Sequence, residues 1–147
     1  METTGTIKLT IESKLENVPL VGGAVRGIAG ALSMDEISGY HMELCVVEAV
    51  TNATKHAYSL EAGHSVEINI LRFPDRITFQ VCDRGKSLDP AKVRPLEFDP
   101  DQLETVPERG MGLFIMHSLM DEVRYETDGG LNMLTMSKHL GKHEASR

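Results

Sequence analysis

Hydrophobic residues recur along this chain in two rhythms. Ile7, Leu9 and Ile11 alternate with Lys8, Thr10 and Glu12, the two-residue period of a strand with one buried face. The same period returns in Val66, Ile68 and Ile70 and in Ile77, Phe79 and Val81, and two closing strands are expected near 122–127 and 131–138. Phe73-Pro74-Asp75-Arg76 supplies a short turn between the middle strands, and Asp128-Gly129-Gly130 a hairpin turn between the last two. Helical spacing governs residues 17–32, which begin near Asn17 with Pro19 tolerated in the first turn. A second helix runs from a cap at Ser33 or Asp35 to about Tyr58, and a third from about Met111 to Met120.

After Asp83 both rhythms lapse for about 27 residues that hold Pro90, Pro95, Pro100 and Pro107, a length typical of lids and binding loops. The order strand, helix, helix, strand, strand, loop, helix, strand, strand predicts an α+β two-layer sandwich. Its sheet is expected to be mixed and mostly antiparallel, with the helices on one face. A chain of 147 residues suffices for one such domain, 1–147, with 84–110 as its long loop.

The second helix breaks its own pattern. Glu48, Asn52, Lys55 and His56 fall on one stripe, while Met42, Cys45, Val46, Ala49 and Ala53 line the neighbouring faces. Glu48 and Asn52 lie one turn apart, roughly 6 Å along the axis, so a carboxylate and a carboxamide can face one small volume. That suits one group handling a proton while the other holds a metal ion or a phosphate. The stripe alone equally describes an amphipathic helix meeting water.

The first helix is rich in Gly22, Gly23, Gly27 and Gly30, each weakening it by roughly 1 kcal/mol relative to Ala. Close packing on another surface, or fraying, are the two readings this leaves.

Composition narrows the class. A net charge of −7 opposes nucleic-acid binding, which calls for a basic stripe. Aromatic residues make up only 5%, with no Trp, so the core must be aliphatic and methionine-rich. Cys45 and Cys82 show no metal-ligand spacing and read as buried thiols of a reducing compartment. No basic region precedes an apolar run at the amino terminus, and no window reaches 18 apolar residues. A soluble cytoplasmic protein without a membrane partner is expected.

Two further segments carry candidate chemistry. Val81-Cys82-Asp83-Arg84-Gly85 ends a strand with a carboxylate that can accept a hydrogen bond from an exocyclic amine, and Gly85 lets a planar ring approach the backbone. Arg109-Gly110-Met111-Gly112-Leu113 joins the long loop to a helix start, where backbone N–H groups favour an anion and Arg109 can reach a terminal phosphate. Singly, either segment also reads as an ordinary turn or helix entry; their order behind the carboxamide helix is more specific.

That order resembles the GHKL ATPase superfamily, and most closely its serine-protein-kinase anti-sigma factors of bacterial partner switching. Glu48-Ala49-Val50-Thr51-Asn52-Ala53 with His56-Ala57-Tyr58, Asp83-Arg84-Gly85-Lys86-Ser87-Leu88-Asp89-Pro90, and Gly110-Met111-Gly112-Leu113-Phe114 are similar to its three boxes. The resemblance spans about residues 7–140. It implies a Bergerat-type ATP-binding fold using ATP and Mg²⁺, with Asn52 as the Mg²⁺ ligand, Asp83 as adenine reader and Gly85 beside the base. It further implies Gly110, Met111, Gly112 and Leu113 at the phosphates, Arg109 at the γ-phosphate, Lys55 and His56 near the nucleotide, and Glu48 as the base. Thr135 matches a position that supports adenine binding. Ser87 stands where the second box often has another glycine.

The implied activity is serine/threonine phosphorylation of a small anti-anti-sigma protein, in competition with a sigma factor, by a homodimer without direct nucleic-acid contact. The alternatives are a non-catalytic nucleotide-binding module that sequesters a partner, and a detached histidine-kinase-like ATPase domain, against which the short segment before the second helix argues.

Overall fold

The computed structural model describes residues 3–88 and 115–140. Five strands form one sheet: β1 (Gly5–Glu12), β2 (Ser65–Arg72), β3 (Arg76–Asp83), β4 (Glu122–Asp128) and β5 (Leu131–His139), in the order β1-β2-β3-β5-β4. All four ladders are antiparallel, so among the described residues the sheet is not mixed. The expected two-layer sandwich is present, with α1 (Val18–Ala31) and α2 (Glu36–Asn52) packed on each other and on one sheet face.

Local chemistry sets the element ends. A 3₁₀ turn (Leu15–Asn17) leads into α1, with Pro19 in its first turn. Asp35, not Ser33, caps α2: its carboxylate accepts the Ser38 N–H at 2.8 Å. The α-helix stops at Asn52, earlier than the periodicity predicts, because a π-helical turn (Ala53–Ala57) continues the coil with one extra residue. The described part of the third helix is 115–119, inside its predicted span.

Register explains the core. Leu9, Ile68, Val81, Leu134 and Tyr125 pair in sequence across all five strands, as do Ile7, Ile70, Phe79, Met136 and Val123 one rung away. Val46, Val50 and Met42 of α2, with Val21 and Val25 of α1, close over them, and Met116 joins from the third helix. Ile68, Ile70, Ile77 and Phe79 are no more than 1% exposed, each contributing about 1.5–3 kcal/mol through burial. The core is aliphatic and methionine-bearing, as the composition requires, and both cysteines are buried free thiols. Among the described residues no helix is long and apolar enough to cross a membrane.

Candidate functional site

One rung beyond the apolar row Val81–Leu134–Tyr125, the inner face of the sheet turns polar. Asp83, Asn132 and Thr127 pair directly across β3, β5 and β4 at that level. The carboxyl-terminal end of α2 lies above this corner, and a crevice opens between the layers. Ala49, Asn52, Ala53 and Ala57 line it from the helix side, Val81, Asp83, Leu134 and Tyr125 from the sheet, and Lys86 and Leu88 from the segment after β3. It encloses about 370 Å³ of space, its open mouth included. Its walls are mostly apolar, with Asn52 on the helix side and Asp83 on the sheet side among the few polar groups, an arrangement suited to a planar ring with an edge to be read.

Asp83 is the carboxylate on the sheet side. Its Oδ1 accepts the Gly85 N–H at 3.0 Å and the Asn132 Nδ2–H at 2.8 Å. Both of its hydrogen bonds among the described residues end on Oδ1, which leaves Oδ2 for a ligand amine. Burial raises its pKa above the ordinary carboxylate value, and the bonds from Asn132 and Gly85 oppose the rise by favouring the charged form.

Gly85 has a packing reason for its lack of a side chain. A methyl there would overlap the Ala57 carbonyl, with the carbonyl carbon 2.6 Å away, while the neighbouring Lys86 N–H donates to that same oxygen at 2.8 Å. Tyr58 fixes the joint from beneath. Its hydroxyl donates to the Ser65 carbonyl at 2.9 Å and accepts the Arg84 N–H at 2.7 Å. Leu88 is held likewise, its N–H donating to the Tyr125 hydroxyl at 2.9 Å. The first five residues after β3 are thus tied to α2's end, to β2 and to β4.

Asn52 and Asp83, which the resemblance assigns to one nucleotide, both line the crevice. Glu48 lies one turn before Asn52 on the same stripe, half-buried, and does not itself line the crevice. Lys55 is exposed and His56 half-buried on the π turn, both outside the lining. Arg109, Gly110, Met111, Gly112 and Leu113 lie outside the described residues.

Thr135 is not at the crevice. It alternates with Leu134 and Met136, which enter the core, so its side chain takes the opposite face of the sheet, where it pairs with Gln80 and Arg124. Asn132, three residues earlier and of the correct parity, occupies the place beside Asp83. A polar residue at a core-facing strand position was the available signal. Lys86, whose sequence reads as a solvated charge, also lines the crevice.

Among the described residues no three His, Cys, Asp or Glu side chains converge as a metal cage. A single carboxamide beside the crevice nevertheless fits Mg²⁺, which keeps its waters and takes few protein ligands when substrate phosphates supply the rest.

Comparison with known proteins gives the family. The family model described as a histidine kinase-like ATPase domain matches residues 11–138. A serine-protein kinase RsbW of Oceanobacillus iheyensis is 30% identical over 141 residues, covering 94% of this chain and 89% of that protein. An RsbW of Bacillus cereus is 30% identical over 150 residues, covering 98% and 91%. Among solved structures, the RsbU and RsbW domains of a Mycobacterium tuberculosis protein superpose with a TM-score of 0.66 at 17% identity, over 92% of this chain and 32% of that one. The SiaB-SiaC complex of Pseudomonas aeruginosa gives 0.59 at 15%, over 90% and 89%. At such identities the two structures speak to fold alone.

Proposed function

This chain belongs to the histidine kinase-like ATPase family, in the branch of the RsbW serine-protein kinases, and from that premise we propose that it is an ATP-dependent serine/threonine kinase of a partner-switching system. The observation that carries the reading is that Asn52 and Asp83, from opposite layers, line one crevice with apolar walls. Adenine enters between Ala49, Ala53, Val81 and Leu134 and presents its amine to Asp83 Oδ2. Asn52 would hold Mg²⁺, which would neutralise charge on the phosphates. Glu48, one turn back, takes the proton of the attacking hydroxyl directly or through a water. Arg109 and Gly110-Met111-Gly112-Leu113 meet the phosphates, as the resemblance implies, and Lys55 and His56 approach the nucleotide from the end of α2.

The protein substrate in this reading is a small anti-anti-sigma protein phosphorylated on Ser or Thr, competing with a sigma factor for a homodimer of this chain. The names of the RsbW relatives support the serine-kinase class; the acidic charge supports protein rather than nucleic-acid partners.

The test is transfer of labelled γ-phosphate to captured partner proteins, with Glu48→Gln beside the wild type. Transfer should fall by about 100-fold or more on loss of the base, with nucleotide affinity retained and an acid-stable phosphoester in the wild-type product. Unchanged transfer by the variant removes Glu48 from its role. A wild type that binds ATP and phosphorylates none of its captured partners reduces the protein to a nucleotide-binding sequestering module.

A further inference from the structure

Asn132 is 1% exposed, yet every polar atom of its side chain is engaged. Its Nδ2 donates to Asp83 Oδ1 at 2.8 Å and to the Gly85 carbonyl at 2.9 Å. Its Oδ1 accepts the Ser87 hydroxyl at 2.8 Å and the Thr127 hydroxyl at 3.0 Å. The orientation is not interchangeable. A carboxylate and a carbonyl only accept, so the amide must turn its N–H groups toward them and its oxygen toward the two hydroxyls. One buried amide therefore joins three things: the carboxylate that reads the base, the start of the segment leaving β3, and the β4–β5 hairpin.

Resting on the nucleotide reading above, we propose that Asn132 is a positioning residue that sets the purine choice of the crevice. By holding Asp83 Oδ1, it leaves Oδ2 alone to face the base as an acceptor, and it ties that contact to the seating of residues 85–88. An acceptor at that point selects a 6-amino purine and rejects a 6-oxo purine, whose oxygen meets a fixed carboxylate. Ser87 belongs to the same device: its hydroxyl orients the amide, a contact that the glycine frequent at this place in related boxes lacks.

Removing the amide leaves Asp83 with the Gly85 N–H alone. The carboxyl then rotates, and it loses a bond that favours its charged form, so it holds a proton to higher pH. A neutral carboxyl can donate to a 6-oxo group. Lys86 and Tyr125 are the other titratable side chains lining the crevice, and neither changes in the variant.

The experiment measures binding of ATP and inosine triphosphate, with Mg²⁺, to wild type and Asn132→Ala between pH 5 and 8. The preference for ATP should fall by about tenfold in the variant, the worth of one lost hydrogen bond to a charged group. The pH at which ATP binding is half lost should move upward. A folded Asn132→Ala that keeps both the wild-type preference and the wild-type pH midpoint overturns the proposal, since a merely structural amide would weaken both ligands alike. The exposed pair Ser87→Ala with Thr127→Ala frees the amide without touching Asp83 and should move both readouts in the same direction; if Asn132→Ala does not fold, unchanged readouts in that double variant overturn the proposal instead. A wild type that binds neither triphosphate ends the nucleotide reading itself, a failure distinct from loss of Asn132's role.

Discussion

At Asp83 two demands on one carboxyl group pull apart. Burial disfavours its charge, while reading an amine requires that charge. Its folded pKa lies above the unfolded value, so the folded state binds the extra proton. Without ligand, stability therefore falls as pH rises from the unfolded pKa through the raised one, and above that window the cost is fully present. Asp83→Asn removes the charge and can keep its Oδ1 as acceptor for both Gly85 and Asn132. It places an NH₂ where Oδ2 met the ligand amine. The variant should melt no lower than the wild type at pH 7 and bind ATP at least about 100-fold more weakly, two donors facing each other in place of a charge-assisted bond; calorimetric titration beside a melting curve checks both.

Cys45 presents the opposite case, a titratable group with no task in the site. Burial pushes its thiol up to about 12, Glu48 adding to the shift and Lys138 opposing it, and burial raises Cys82 as well. The thiolate is the reactive form, so neither cysteine should react with a thiol reagent at pH 7 until denaturant is added.

At the scale of elements, the glycines of α1 separate into two kinds that the sequence does not distinguish. Gly22 faces α2, where a methyl would come within 3.0 Å of Val47 Cγ2 and 3.5 Å of the Glu43 side chain, beside the Arg26–Glu43 ion pair at 3.0 Å. Gly23 and Gly27 look outward, with nothing within 4 Å of an added methyl. Gly23→Ala and Gly27→Ala should each stabilise the protein by up to about 1 kcal/mol, the helix-propensity difference. Gly22→Ala should destabilise it by about 1–3 kcal/mol through overpacking. Urea denaturation of the three variants gives the signs. Gly85→Ala belongs with Gly22, since its added methyl meets backbone that has no rotamer to escape into. Of the two readings that glycine richness left open, close packing describes Gly22 alone among the glycines of α1, and the spacing of the glycines could not say which. The π turn was equally hidden. Ala53–Ala57 carries no Gly or Pro to mark a break, and the Lys86 N–H that donates to the Ala57 carbonyl is a tertiary tie that local sequence does not reveal.

For the whole molecule, the positions of the strands were legible and their order was not. All five strands lie where the sequence leads one to expect them, four of them on a two-residue alternation that β5 keeps only in part, and both hairpins lie where Pro-Asp or Gly-Gly marks a turn. The order of strands was not legible: β5, not the earlier β4, pairs with β3, a choice made by contacts some fifty residues apart, as Asp83 against Asn132 shows. Asn52 and Asp83 could be named as site residues because each ends or interrupts an apolar pattern. Asn132 lies inside the strand expected near 131–138, and its core-facing parity marks it only once β5 is known to lie beside β3. The same topology predicts how ligand and fold are coupled. The crevice is walled by α2 on one side and by β3, β5 and β4 on the other, so a nucleotide held there binds only when the two layers are assembled. Native-state binding at 100 times Kd adds about 2.7 kcal/mol, which for a domain of this size is a rise in Tm of roughly 5–10 °C. ADP or ATP with Mg²⁺ should produce that rise, chelation of the metal should remove most of it, and Asn52→Ala should make the remainder insensitive to magnesium. An Asn52→Ala protein whose melting temperature still climbs with added Mg²⁺ in the presence of nucleotide would transfer the metal contact to another residue while leaving the base contact at Asp83 intact.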